Sequence, residues 1–290
     1  MESLLAGPLE QGLAYGIMVL GVFLSFRILN FADLTVDGSF PLGGAVAATL
    51  LVAGANPVLA TLAGLLAGAA AGLATGLLAT KARIAPLLAG ILTMTALYSV
   101  NLRVMGRANI QLLRQPTLIS AVQDRAIGGD YAVLLFLALA VTALALTLRW
   151  FLHTGLGAAL RATGDNEDMV RSQGVDVQGM KVLGLALANG LVALSGALVA
   201  QYQGFADVGM GIGTIVAGLA SVIIGEVVVG EATVSRALVA VVAGSIVYRL
   251  VIFAALRVGF APTDLKLMTA LLVILALSTP ALKRVVRVAG

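Results

Sequence analysis

Asp165, Asn166, Glu167 and Asp168 stand in one run, followed by Arg171 and Gly174, inside a charged connection from Gly155 to Gly179. The chemistry these types offer is that of a short helix standing alone. Asp165 or Asn166 accepts amide hydrogens as the N-cap, Glu167 and Asp168 suit the positive helix start, Arg171 suits its end, and Gly174 supplies the left-handed residue after it. A helix this short is marginal in water and needs a surface to dock on. A solvated loop helix is the alternative. Other chemistries are excluded by composition. The chain has no cysteine, so it has no thiolate nucleophile or thiolate metal site, and its one histidine is His153. None of Lys81, Lys181, Lys266 and Lys283 is followed by Ser or Thr, so there is no phosphate-binding G-x-x-x-x-G-K-[ST] loop. No metal and no cofactor are expected in this chain.

The elements that position this segment are apolar. Of 290 residues, 60% are hydrophobic and 11% charged, against about 25% charged in an ordinary soluble domain. At about 20 residues per membrane-spanning helix the chain accommodates roughly eight to ten spans. The expected fold is all-α, one polytopic transmembrane bundle over residues 1–290. Apolar runs place spans at Leu9–Leu29, Ser39–Ala53, Pro57–Thr80, Ile84–Met105, Tyr131–Leu152, Met180–Gln201, Gly211–Val229, Val234–Leu256 and Leu265–Leu282, about nine, with the second and seventh interrupted by glycine. Met1-Glu2-Ser3 lacks the basic start of a secretory signal, so the first apolar run is expected to remain as a span. Gly64, Gly68, Gly72 and Gly76 recur every four residues, which aligns them as a groove for a neighbouring helix.

The net charge of +4 is read as cytoplasmic-loop charge, with no nucleic-acid partner. Lys81, Arg83, Arg161, Arg171, Lys181, Lys283, Arg284 and Arg287 fall on one side of a nine-span chain, which makes that side cytoplasmic, the amino terminus external and the carboxyl terminus internal. Arg103, Arg107, Arg114 and Arg125 then lie outside, against the rule; one miscounted span would invert the first four.

Gly157-Ala-Ala-Leu-Arg-Ala-Thr-Gly-Asp-Asn-Glu-Asp-Met-Val-Arg-Ser-Gln-Gly174, then Ala188-Asn-Gly-Leu-Val-Ala-Leu-Ser-Gly-Ala-Leu, resembles the cytoplasmic coupling segment of bacterial ABC-importer permeases of the branched-chain amino-acid and ribose type. Asn30-Phe-Ala-Asp-Leu-Thr-Val-Asp-Gly-Ser-Phe-Pro-Leu-Gly-Gly-Ala resembles a second signature of that superfamily, and the subgroup it most resembles is that of tryptophan/tyrosine-type amino-acid uptake. The resemblance implies an inner-membrane permease subunit that moves a small polar solute by alternating access. It assigns Gly164, Asp165, Asn166, Glu167, Asp168, Arg171 and Gly174 to contact with a separate ATPase, which binds ATP and Mg. The implied partners are an ATPase dimer, a second permease copy and an extracytoplasmic substrate-binding protein.

Phe31-Ala32-Asp33 and Phe205-Ala206-Asp207 each lead into a glycine-rich stretch, an echo that in the nine-span reading has opposite membrane orientations, as an inverted repeat would. The expected pathway lies between these stretches, near Asn30, Thr35, Ser39, Phe40 and Thr214, with Tyr98 and Asn101 beside them. Asp33, Asp37, Glu226, Glu231 and Asp264 read as span-end residues, leaving span interiors nearly free of charge. An ion-coupled secondary transporter is the competing reading; it requires a buried carboxylate and uptake by this chain alone.

Overall fold

The computed structural model describes residues 2–124, 131–230 and 232–261, together with 264, 267, 269–271 and 274. Among them, seven helices are long and apolar enough to cross a membrane, and one apolar helix is shorter. The elements are α1 (Glu2–Val22) continuing through a π-helical stretch (Phe23–Ile28), α2 (Val36–Val52), α3 (Pro57–Thr80), α4 (Pro86–Met105), β1 (Asn109–Gln111), α5 (Leu118–Asp124), α6 (Ala132–His153), α7 (Gly155–Asp165), α8 (Glu167–Ser172), α9 (Val177–Gln203), β2 (Phe205–Asp207), a 3-10 turn (Val208–Gly211), α10 (Thr214–Val229) and α11 (Val234–Val258). The last expected span, Leu265–Leu282, lies almost wholly outside the described residues, as do Arg125, Glu231, Lys266, Lys283, Arg284 and Arg287.

Local chemistry sets the helix ends. Asn56 caps α3, which begins with Pro57, and α4 begins with Pro86; both prolines occupy positions where the missing N–H costs no helix bond. Gly106 and Gly204 end α4 and α9 in the left-handed conformation that glycine adopts without strain.

The most buried of the seven long apolar helices, α9, packs against α1, α2 and α3. The glycine groove of α3 lies on α9: an added Cβ at Gly68 would strike Ala193 and the Asn189 carbonyl, at Gly72 the Leu185 carbonyl, and at Gly76 the Val182 backbone, while Gly64 faces Gly43 of α2. Gly43 and Gly196 perform the same service between α2 and α9, meeting the carbonyls of Ala193 and Phe40. These close approaches replace a hydrophobic drive that lipid does not provide between helices.

The second span was expected to be broken, yet α2 runs unbroken through Pro41, Gly43 and Gly44. Its packing explains this, because Gly43 and Gly44 sit against α9 and Met210. The interruption falls instead before α2, at residues 29–35, and before α10, at Gly211–Gly213. Pro41 has no N–H, so the Asp37 carbonyl loses its intrahelical donor. Gly211 packs directly on that carbonyl and on Pro41, so the two stretches thought to flank a pathway touch.

One end of the bundle gathers the C-terminal ends of α1, α3 and α10 and the start of α9, shown by Gly164 against the Ile28 carbonyl, Gly76 against Val182, and the Arg27–Glu226 ion pair at 3.0 Å. The helices α7 and α8 cover this end. At the other end β1 and β2 form an antiparallel pair, Ile110 opposite Ala206.

Candidate functional site: a capped corner and two cavities

The charged connection folds as two helices, where a single short one was expected. In α7, Leu160 and Thr163 are buried, and Gly164 lets the helix approach the Ile28 carbonyl so closely that no side chain fits there. Gly164 therefore serves the seating of α7 on α1. Asn166 is the N-cap of α8: its Oδ1 accepts the Met169 amide at 3.0 Å. Gly174 adopts φ +81° just after the helix. Val170 is buried while Asp165, Asn166, Glu167, Asp168 and Met169 are exposed, so α8 is pinned by one apolar side chain and presents its acidic start outward. Glu167 pairs with Lys181 of α9, and Arg171 lies 3.7 Å from Asp168, whose side chain is almost fully exposed.

Deeper in the bundle, Asp33 occupies a place that its position in the chain conceals. It reads as a span-end residue, but the chain folds back from α1 and encloses it, leaving 2% of it exposed. One oxygen accepts the Thr35 amide at 3.0 Å, and the other accepts Asn189 Nδ2 at 2.6 Å. Asn189 also donates to the Leu185 carbonyl and accepts from Ser39 Oγ at 2.7 Å, while the Thr35 and Thr75 hydroxyls lie 2.7 Å apart. Asn189 stands 12 residues into α9, roughly 18 Å along its axis at 1.5 Å per residue. The network thus knits α2, α3 and α9 near mid-depth.

Asp37, one turn further on, performs a different task. Its Oδ1 accepts the Thr214 hydroxyl at 2.9 Å and the Ile215 amide at 2.8 Å, and its Oδ2 accepts the Gly213 amide at 3.0 Å. A carboxylate on the first amides of a helix meets its positive end. Asp37 is the clasp holding the start of α10 against α2.

Two cavities flank this clasp. The first, about 400 Å³, is lined by residues including Asp37, Pro41, Thr95, Tyr98, Asn101 and Ile212. The second, about 450 Å³, is lined by residues including Tyr15, Ile212, Thr214, Tyr248 and Arg249. Of the residues expected along a pathway, Tyr98 and Asn101 line the first and Thr214 the second. Asn101 also donates to the Gly38 carbonyl at 3.3 Å. Thr35, Ser39 and Phe40 are fully buried in helix packing, and Asn30 is exposed at the turn after α1 with φ 51°.

Two further residues escape the sequence reading. Arg249 lies inside the apolar run of α11, although span interiors were read as nearly uncharged, and its guanidinium sits 3.6 Å from the centre of the Tyr15 ring. Tyr15 in turn stacks on Phe40, with centroids 5.4 Å apart. The signal was visible: a lone arginine within an apolar stretch is costly and marks function by default.

Comparison with known proteins gives a consistent result. The family described as branched-chain amino acid transport system / permease component matches residues 4–278. The chain is 42% identical to a tyrosine transport system permease protein of Clostridioides difficile (strain R20291) over 271 residues, 93% of this chain and 89% of that one. It is 34% identical to an uncharacterized protein of Rickettsia prowazekii (strain Madrid E), covering 96% and 98% of the two chains. It is 33% identical to the ribose import permease protein of Bacillus subtilis (strain 168) over 66% of this chain and 58% of that one. No solved structure matches.

Proposed function

Since the chain belongs to the family of branched-chain amino acid transport system permease components, a multi-pass membrane protein, we propose that it imports an amino acid or a related compound by alternating access, driven by a separate ATPase docked on α7–α8. The observation that carries this reading is α8 itself, a capped helix with Val170 buried and an acidic face left open at one end of the bundle. So short a helix persists because α7 and α9 seat it, and its outward face fits a partner rather than lipid. Asp165, Asn166, Glu167, Asp168 and Arg171 are then the contact surface, and ATP and Mg belong to the partner.

In this reading the α7–α8 end is cytoplasmic, the amino terminus external and the carboxyl terminus internal, in the bacterial inner membrane. One coupling corner per chain suits a two-fold permease pair on an ATPase dimer, fed by an extracytoplasmic binding protein. The cavities beside α10 supply the pathway, and the two Phe-Ala-Asp turns mark the halves of an inverted repeat. Substituting Asp168→Lys tests the docking, because Asp168 lacks the Lys181 partner that Glu167 has. The expected result is loss of permease-stimulated ATP hydrolysis with an unchanged gel-filtration profile of the permease. Unaltered stimulation in Asp168→Lys combined with Glu167→Lys would remove α8 from the coupling role.

A further inference from the structure

We propose that the cavity lined by α1, α10, α11 and, beyond them, Thr269 and Ala270 binds the carboxylate of the transported solute, with Arg249 as its counter-ion. The proposal rests on the importer reading and names the chemical class of its solute.

Arg249 sits on α11, a helix apolar enough to span the membrane, where an uncompensated cation is unfavourable. No carboxylate pairs with it among the described residues, and its Nε is buried without a hydrogen-bond acceptor. Three acids on the neighbouring elements are engaged elsewhere. Asp37 is used by Gly213, Thr214 and Ile215; Glu10 accepts the Tyr202 hydroxyl at 2.9 Å; and Glu226 pairs with Arg27. What holds Arg249 is the face of Tyr15, itself backed by Phe40. Stacking fixes the plane of a guanidinium and leaves its edge N–H groups for an acceptor, and a carboxylate matches that edge with two parallel hydrogen bonds.

The cavity has room for such a group. Its volume of about 450 Å³ falls within the range of small-ligand sites, and Tyr15, Val216, Tyr248 and Ile252 give it an apolar and aromatic wall beside the cation. Of the amides at the start of α10, those of Gly213 and Ile215 are already taken by Asp37. A carboxylate entering here meets Arg249, which has no carboxylate partner among the described residues.

The absence of cysteine makes the test direct. Ala217→Cys and Val216→Cys place single thiols on the cavity wall of the purified permease, without ATPase. A sulfonate-bearing thiol reagent is expected to react roughly tenfold faster, relative to free cysteine, than a trimethylammonium-bearing one. Arg249→Gln should erase that preference and Arg249→Lys should retain it. A mixture of the standard L-amino acids without cysteine should slow labelling, whereas the same mixture as α-carboxamides should not. Equal rates for both reagents, no labelling at either position, a preference that survives Arg249→Gln, or absence of protection by the acids would overturn the proposal. Failure of ATP-driven uptake would instead count against the importer reading, and these labelling ratios do not depend on it.

Discussion

The two Phe-Ala-Asp turns share a local structure and meet opposite fates. In each, the aspartate Oδ1 accepts the amide two residues on, Thr35 at 3.0 Å and Gly209 at 2.7 Å. There the likeness stops. The second oxygen of Asp33 is enclosed with Asn189 of α9, whereas that of Asp207 meets exposed Asn109 at 3.3 Å across the β1–β2 pair. Local sequence writes the turn, and the tertiary neighbourhood decides what the turn is worth. The first turn is fastened into the α2–α3–α9 body. The second leads into α10 between two cavities, and the start of that helix is held by one remote carboxylate, Asp37. The contrast lies at the turns themselves, since further along α10 packs closely on α11, with Gly225 on the Ala240 carbonyl and Gly244 on the Ser221 carbonyl.

Asp33→Leu should have the largest effect, because it leaves the Thr35 amide and one of the two N–H groups of Asn189 Nδ2 buried without acceptors. A loss of about 3 kcal/mol is expected, read as a lower thermal unfolding midpoint in detergent. Asp33→Asn with Asn189→Asp restores donor and acceptor in exchanged places, and partial recovery of that midpoint would tie the effect to the pair. Next comes Gly72→Leu, which drives a side chain into the Leu185 carbonyl and forces α3 off α9; about 1–3 kcal/mol is expected in the same measurement.

Asp37→Ala should cost about 1–2 kcal/mol of stability, as three hydrogen bonds at a helix start are lost. Its effect on transport should be out of proportion to that, with faster thiol labelling at Ala217→Cys as the start of α10 comes loose. Smallest is Asp207→Ala, expected at about 0.5–1 kcal/mol because its bonds lie toward solvent. If Asp207→Ala destabilised the protein as much as Asp33→Leu, the contrast between the two turns would fail.

Features written within a few residues were legible in the sequence. The Asn166 cap, the Gly174 stop and the Gly64–Gly76 groove depend on types and periodicity alone, and the structure displays each of them. Features that depend on where the chain returns were not. Asp33 lies at a span end in sequence and at mid-depth in space because residues 29–35 fold back inside the bundle. The Asp37 clasp joins residues 176 to 178 positions apart, and β1–β2 pairs segments three residues long, which carry no periodic signal. Ser39 and Phe40 were placed near a pathway because glycine and proline surround them; the same glycines instead draw α2 onto α9 and enclose both side chains.

The buried Asp33 is also what a secondary transporter would need, so the central claim turns on the energy source rather than on any carboxylate. The measurement is uptake of radiolabelled L-amino acids into proteoliposomes that hold the permease, with and without its ATPase and binding protein, with ATP inside or outside the vesicle, and with an imposed proton or sodium gradient. Uptake is expected when ATPase, binding protein and ATP on the α7–α8 side are all present, and none from a gradient alone. Gradient-driven uptake by the permease without its ATPase would contradict the importer assignment.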